Sequence, residues 1–271
     1  MNLIIMLRKI VLFALVFLLY NNVSAQENEY NLGLKLYNQK DFVGAITYFD
    51  QAVKIDSTFS KAYEIRAAAK QQQKKYKEAF ADYSKAIYLN PENPRNYSQR
   101  ANISYILERY KEAIADYSAS LKIDKNNEKD YFNRGLAYFF YNDYKNSFND
   151  LDKAIAINPK YIEAYLIRAN LKNNLKDRSG AILDYNSVLK IDANHSFAYF
   201  HRGIIKALQQ DYQNAIIDFT KTIALDANNR KAYYNRGLAK FKIKQDGCPD
   251  VKKAVQLGYK DGLTLLRQYC K

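Results

Sequence analysis

Six arginines recur at a fixed spacing of 34 residues, and each is followed by an aspartate. Arg66 goes with Asp82, Arg100 with Asp116, Arg134 with Asp150, Arg168 with Asp184 and Arg202 with Asp218 at a separation of 16, and Arg236 with Asp250 at 14. A row of guanidinium groups can read a polyanion, because the group is permanently charged and its planar fork matches carboxylate and phosphate. The same residues can instead neutralise one another within the chain. The first 34-residue stretch carries Leu32 and Tyr48 at the two places, so it lacks both members together. Presence and absence in step are what intramolecular pairs produce, and such pairs favour a register more surely than they add stability.

Other reactive side chains are few. The chain holds 2 cysteines and 2 histidines. His195 and His201 have no cysteine or second histidine at ligand spacing, so no metal site is expected. There is no glycine-rich phosphate loop, no serine in a nucleophile elbow and no carboxylate pair outside the repeated pattern. The expectation is a protein that is not an enzyme and needs no cofactor.

The elements that position the arginines follow from the period. An aromatic-x-x-Arg-small signature starts at Tyr63, Tyr97, Tyr131, Tyr165, Tyr199 and Tyr233. A strict repeat of this length marks a stack of identical supersecondary units. Units begin at Gln26, Ser60, Pro94, Glu128, Ile162, Ser196 and Arg230. The eighth place of each is small (Gly33, Ala67, Ala101, Gly135, Ala169, Gly203, Gly237), and so is the twentieth in Ala45, Ala79, Ala113, Ser147, Ala181 and Ala215. Helices approach closely where small residues face each other, so the unit reads as a helical hairpin. Its second helix has an amphipathic stripe, as in Ala79, Tyr83, Ala86 and Ile87, and Pro91 and Pro159 close two of these helices. Aromatic residues at Phe42, Tyr76, Tyr110, Tyr144 and Tyr212 are expected in the turn between the helices, plugging the hairpin end. Thirteen of the tyrosines fall at repeated places of these kinds, where packing is the first expectation.

This pattern of an aromatic, a small residue, an alanine opening the second helix, an aromatic four later, an alanine three further and a closing proline resembles the tetratricopeptide repeat over residues 26 to about 257. Departures are local: Ser147, Val188, Ser120 and Thr222 replace alanines, and most units lack the closing proline. The resemblance implies an all-α, right-handed α-solenoid of about seven helix-turn-helix repeats. It also implies a partner-binding groove lined by the first helices, at the residue after the motif tyrosine, four beyond it, and three beyond that. Those places hold Tyr30, Leu34 and Tyr37 in the first unit; Glu64, Ala68 and Gln71 in the second; Ser98, Asn102 and Tyr105 in the third. They continue as Phe132, Leu136 and Phe139; Leu166, Asn170 and Asn173; Phe200, Ile204 and Ala207; and Tyr234, Leu238 and Phe241. The aromatic and aliphatic members are the candidate contacts to a protein or peptide partner, since anchors in a desolvated patch supply most binding energy. The alternative is that they pack against neighbouring units. The paired lysines and asparagines with which some family members hold a C-terminal carboxylate are absent, so chaperone-tail binding is not expected.

The seventh unit fits if its turn is two residues shorter, with Gly247, Asp250, Val251 and Ala254 taking the small, acidic, aromatic and last small places. Leu257-Gly258 then reads as a helix stop and Asp261 to Tyr269 as a further helix, giving a capping segment over 258–271. Cys248 opens the last second helix and Cys270 ends the cap. Helices of these lengths run roughly 12 and 15 Å at 1.5 Å per residue, so both thiols return to one end. A disulfide forms if the compartment is oxidising; the alternative is two free thiols.

Residues 1–25 differ from the rest. Arg8 and Lys9 precede an apolar run from Ile10 to Tyr20, and Val23-Ser24-Ala25 ends in small residues. This is the layout of a secretory signal peptide cut after Ala25; the alternative is an uncleaved anchor, although the run falls short of the roughly 20 residues that span a bilayer. Export to the periplasm or beyond is expected, with no membrane span after cleavage. The formal charge is +14, and loss of Arg8 and Lys9 leaves 40 basic against 28 acidic residues. That balance gives a second binding mode, docking of the basic surface on an anionic envelope polymer or acidic protein, with nucleic acid set aside for an exported chain.

Overall fold

Every regular element among residues 24–270, which the computed structural model describes, is an α-helix. The leader reading falls on residues 1–25, of which all but Ser24 and Ala25 lie outside the described residues. The chain divides after Asp143 into two compact units. In the first, α1 covers 24–38, followed by α2 (Phe42–Ile55), α3 (Ser60–Gln72), α4 (Tyr76–Leu89), α5 (Pro94–Ile106), α6 (Tyr110–Ile123) and α7 (Glu128–Phe140). The second holds α8 (Tyr144–Ile157), α9 (Ile162–Asn174), α10 (Arg178–Ile191), α11 (Ser196–Leu208), α12 (Tyr212–Leu225), α13 (Arg230–Lys242), α14 (Cys248–Gln256) and α15 (Gly262–Tyr269). No described helix is long and apolar enough to cross a membrane.

Within each unit, consecutive helices pack as hairpins through alanine seams. In the first, Ala67 and Ala79 are fully buried with Tyr83 and Ile103, and Ala101, Ala113 and Ala137 close around Tyr117. In the second, Ala169, Ala181 and Ala198 surround Tyr185 and Val188. The small residues let the backbones approach, and one large side chain from each second helix, a ring at Phe49, Tyr83, Tyr117, Tyr185 and Phe219 and an aliphatic group at Leu151 and Val251, fills the space they leave, which is how a native interior reaches close packing.

The turns share one geometry. Lys40, Lys74, Glu108, Asn142, Lys176, Gln210 and Lys244 all have φ between 58° and 65°, the left-handed region. The following residue donates its N–H five positions back, as Lys75 does to Lys70 O at 2.9 Å and Asp211 to Lys206 O at 2.9 Å. This closes the orphan carbonyls of the first helix in the manner of a Schellman cap, without the glycine that normally takes such a φ. The next helix is then capped from its other side where the residue allows: Asp41, Asp177 and Asp211 accept from the backbone N–H three residues on. Because the turn is this short, Phe42, Tyr76, Tyr110, Tyr144 and Tyr212 stand as the first residues of their helices rather than in the turn itself. Phe42 and Tyr110 lean back on Tyr37 and Tyr105, with ring centroids 5.4 and 5.7 Å apart.

The last hairpin is shortened and closes through glycine. A Cβ on Gly247 would sit 2.3 Å from Gly237 O, so α13 and the start of α14 meet backbone to backbone. Gly258, at φ +85°, turns the chain after α14. In α15, Gly262 and Leu265 are buried, while Leu263 and Tyr269 keep 45% and 46% of their surface, so the cap covers the hairpin with one face only.

Candidate functional site

Five of the arginine–aspartate pairs are bidentate. The guanidinium of Arg66 donates from Nε and Nη2 to Asp82 at 2.9 and 2.6 Å, and Arg100, Arg168, Arg202 and Arg236 hold Asp116, Asp184, Asp218 and Asp250 in the same way. Arg134 and Asp150, though in one repeat, lie on either side of the division of the chain after Asp143. The Arg236 pair is made despite its shorter separation, since the two residues missing from the turn leave the helix faces in register. These aspartates are buried, and lysines one turn after the arginines (Lys70, Lys172, Lys206 and Lys240) add a third donor at 2.7 to 2.9 Å.

The remaining guanidinium nitrogen reaches back to the preceding hairpin. Nη1 of Arg66, Arg100, Arg134, Arg168, Arg202 and Arg236 donates to Asp50, Ser84, Ser118, Asp152, Asn186 and Thr220, between 2.6 and 3.1 Å. Each of the five bidentate arginines is therefore a staple between hairpins with its charge met by an aspartate, and the guanidinium groups of Arg66, Arg168, Arg202 and Arg236 lie 5.1 to 5.6 Å from the ring centroids of Tyr63, Tyr165, Tyr199 and Tyr233. For Arg66 and Arg168 these acidic partners outweigh burial and hold the guanidinium above its ordinary pKa. Paired at three nitrogens, these arginines do not form a row free to bind a polyanion. The acceptor at the preceding hairpin has a sequence signal only in that an oxygen-bearing side chain stands there every 34 residues, at positions 50, 84, 118, 152, 186 and 220.

Cys248 and Cys270 are bonded, with Cα atoms 5.6 Å apart, joining the start of α14 to the end of α15. His195 caps α11 by accepting from Ala198 N–H through Nδ1 at 3.2 Å, and His201 stacks between Phe197 and Tyr185. Burial, with Lys231 nearby, lowers the His201 pKa. No cluster of His, Cys, Asp or Glu among the described residues has the make-up of a metal site.

The groove candidates are half-buried, each sharing its surface with a neighbour. Tyr30 lies against Phe49 and Phe59, Tyr37 against Phe42, and Tyr105 against Tyr110 and Phe140. Phe132, Leu136 and Phe139 are half-buried on α7, Phe139 meeting Phe140 edge-on. In the second unit Leu166 packs on the Tyr185 core, Phe200 meets Phe219, Tyr234 meets Tyr259, and Phe241 stacks on Tyr269 at 4.6 Å. Ile204 and Leu238 differ: they line a cavity of about 220 Å³ between α11 and α13, with Ala207, Leu208, Tyr212 and Ala239 completing its apolar wall and Asn235 and Lys242 also lining it. An apolar cavity of about 150 Å³ already holds a benzene ring. This one can seat a single large aliphatic or aromatic side chain.

Comparison with known proteins agrees with this architecture. A family model described as "TPR repeat" matches residues 101–139, and one described as "Tetratricopeptide repeat" matches 60–93 and 131–161. No curated protein matches the chain. Among solved structures, a tetratricopeptide repeat protein from Parabacteroides merdae is similar with a TM-score of 0.65 at 20% identity, covering 90% of this chain and 98% of its own. PilF of Pseudomonas aeruginosa gives 0.63 at 16%, covering 83% and 100%. YrrB, described as a TPR protein with an unusual peptide-binding site, gives 0.60 at 20%, covering 69% and 96%. With its hairpins of period 34, alanine seams and matching repeat models, this chain is a tetratricopeptide repeat protein.

Proposed function

We propose that the protein is an exported, non-catalytic interaction scaffold that binds a peptide or protein segment on the face of its first helices. The observation that carries this reading is the cavity between α11 and α13, because it is an apolar socket open on that face and flanked by polar groups able to meet a peptide backbone. The peptide-binding site named for YrrB, a structure of the same fold, is consistent with it. Export rests on the leader-like composition of residues 1–25 and is supported by the Cys248–Cys270 bond, which an oxidising compartment preserves. The stapling of the arginines favours this groove over docking of the basic surface on an anionic polymer.

The test is binding of short peptides with one central Phe, Leu or Ala, followed by NMR on the purified chain and on Ile204→Trp, in which the indole fills the socket. Phe and Leu peptides should shift the methyl signals of Ile204 and Leu238, and lose affinity in I204W with little dependence on salt. Equal binding of all three peptides, or unchanged affinity in a folded I204W, would remove the groove from the account.

A further inference from the structure

One buried carboxylate is not answered by an arginine. Asp130, on α7, is 3% exposed, yet among the described residues its side chain meets only two hydroxyls: Oδ2 accepts from Ser98 Oγ on α5 and, at 2.6 Å, from Ser120 Oγ on α6. The two hydroxyls lie 2.9 Å apart and hold the carboxylate in one orientation. Its Oδ1 accepts no hydrogen bond from the described residues and is not sealed from solvent. The fold does not need an acid here. The same place is alanine in four other hairpins, Ala62, Ala164, Ala198 and Ala232, all fully buried, and is otherwise the buried but uncharged Asn96 and the exposed Asn28. A buried anion with no cation in contact costs stability that alanine would not, the charge of Arg134 one turn on offsetting burial only in part, and such a departure from local consistency is expected where a residue serves binding rather than folding.

Asp130 lines a cavity of about 300 Å³ between α5 and α7, whose wall is polar. Asn102 has its Oδ1 occupied by the Tyr117 hydroxyl at 2.5 Å, which leaves its amide N–H groups to face a ligand, and Asn133 stands opposite on α7. Asp124 adds a second carboxylate at the wall. The cations there, Arg95 and Lys129, are exposed and make no salt bridge to Asp130.

We propose that this cavity is a specificity pocket for a cationic side chain, lysine or arginine, of the bound segment. Its ammonium or guanidinium supplies the missing counter-charge at Asp130, and Asn102 and Asn133 donate to the carbonyls beside it. The overall positive charge of the chain does not forbid this, because at physiological salt a charge is screened beyond roughly 8 Å whereas the carboxylate is in contact. The proposal rests on the reading of the first-helix face as a peptide site.

The test uses three capped tripeptides, Ala-Lys-Ala, Ala-Arg-Ala and Ala-norleucine-Ala, titrated into the purified chain while the side-chain amide signals of Asn102 and Asn133 are followed. The lysine or the arginine peptide should bind at least about tenfold more tightly than the norleucine one, the margin of a charge-assisted hydrogen bond. Asp130→Asn and Asp130→Ala should abolish that margin, and D130A should melt at or above the wild-type temperature. Three indistinguishable peptides, a margin that survives D130N, or a D130A chain that melts lower would each overturn the proposal. Failure of the groove reading itself shows separately at the Ile204–Leu238 socket, where apolar peptides would then give no response.

Discussion

Removing the carboxylate of Asp218 should destabilise the second unit far more than removing the whole ion pair. Asp218 is fully buried, and accepts from Arg202 Nε at 2.9 Å and Nη2 at 2.6 Å and from Lys206 Nζ at 2.8 Å. Asp218→Ala strips three charge-assisted bonds and leaves two cations whose side chains are only 17% exposed. Breaking a buried pair from one side costs about 3–5 kcal/mol; the partial exposure of the cations places this variant near the lower end. The chain contains its own control. The first hairpin has Leu32 and Tyr48 where the others have arginine and aspartate. The double change Arg202→Leu with Asp218→Tyr copies that solution and should cost less than the sum of its single variants by about 1.5–3 kcal/mol, the coupling of residues that act as one network. Urea unfolding followed by circular dichroism gives the midpoints, with constant m-values needed before free energies are compared, because repeat arrays unfold in parts. A D218A chain losing under about 1 kcal/mol, or single variants that add within about 0.5 kcal/mol, would show that the staple is not a coupled buried network.

The turns offer a gain. Lys74 and Gln210 sit at φ 59° and 64°, so Lys74→Gly and Gln210→Gly should each raise stability by about 0.5–1 kcal/mol in thermal melts, whereas Gln210→Val should lower it by at least about 1 kcal/mol. The Cys248–Cys270 bond has a sequence separation of 22, for which loop entropy predicts a loss of about 3 kcal/mol on reduction. A thiol count without reductant should find none, and a melt with reductant should show the terminal hairpin opening first. Burial raises the Asp130 carboxyl above its ordinary 3.8 despite the hydroxyls of Ser98 and Ser120. A raised folded-state pKa means that ionisation is penalised: the penalty is absent below the unfolded value and complete above the folded one. Wild type should therefore gain stability relative to D130N as pH falls through that window, and a difference independent of pH would contradict the burial argument.

Periodicity carried the architecture because in a stack of like units each structural constraint is written many times. The Arg66–Asp82 spacing, the alanines at two fixed places and the shifted register of Gly247 and Asp250 were legible for that reason, since any misreading would have failed at several copies. The reach of Arg66 to Asp50 was not drawn out, because its acceptors vary in type (Asp, Ser, Asn, Thr) and only their oxygen is constant. The left-handed turn residues were hidden for the opposite reason: lysine, glutamate, asparagine and glutamine carry no conformational signature, and the glycine that would have marked them is missing. Ser120 shows in sequence as a departure from the repeated alanine, whereas Asp130 and Ser98 stand at places that vary between hairpins, and the three lie on three helices. That they converge on one carboxylate is a fact of packing, which no single copy of a pattern can state.

The central claim is that binding is seated in side chains of the first helices that vary between hairpins, while the repeated residues build the frame. Affinity of a Phe-bearing peptide for the purified chain and for I204W tests it most directly, with the thermal melt of both as the control. The account predicts a loss of at least about tenfold in I204W at an unchanged melting temperature, tenfold being 1.4 kcal/mol and within the range of one truncated anchor. Unchanged affinity in the folded variant would contradict it and move the partner to another face.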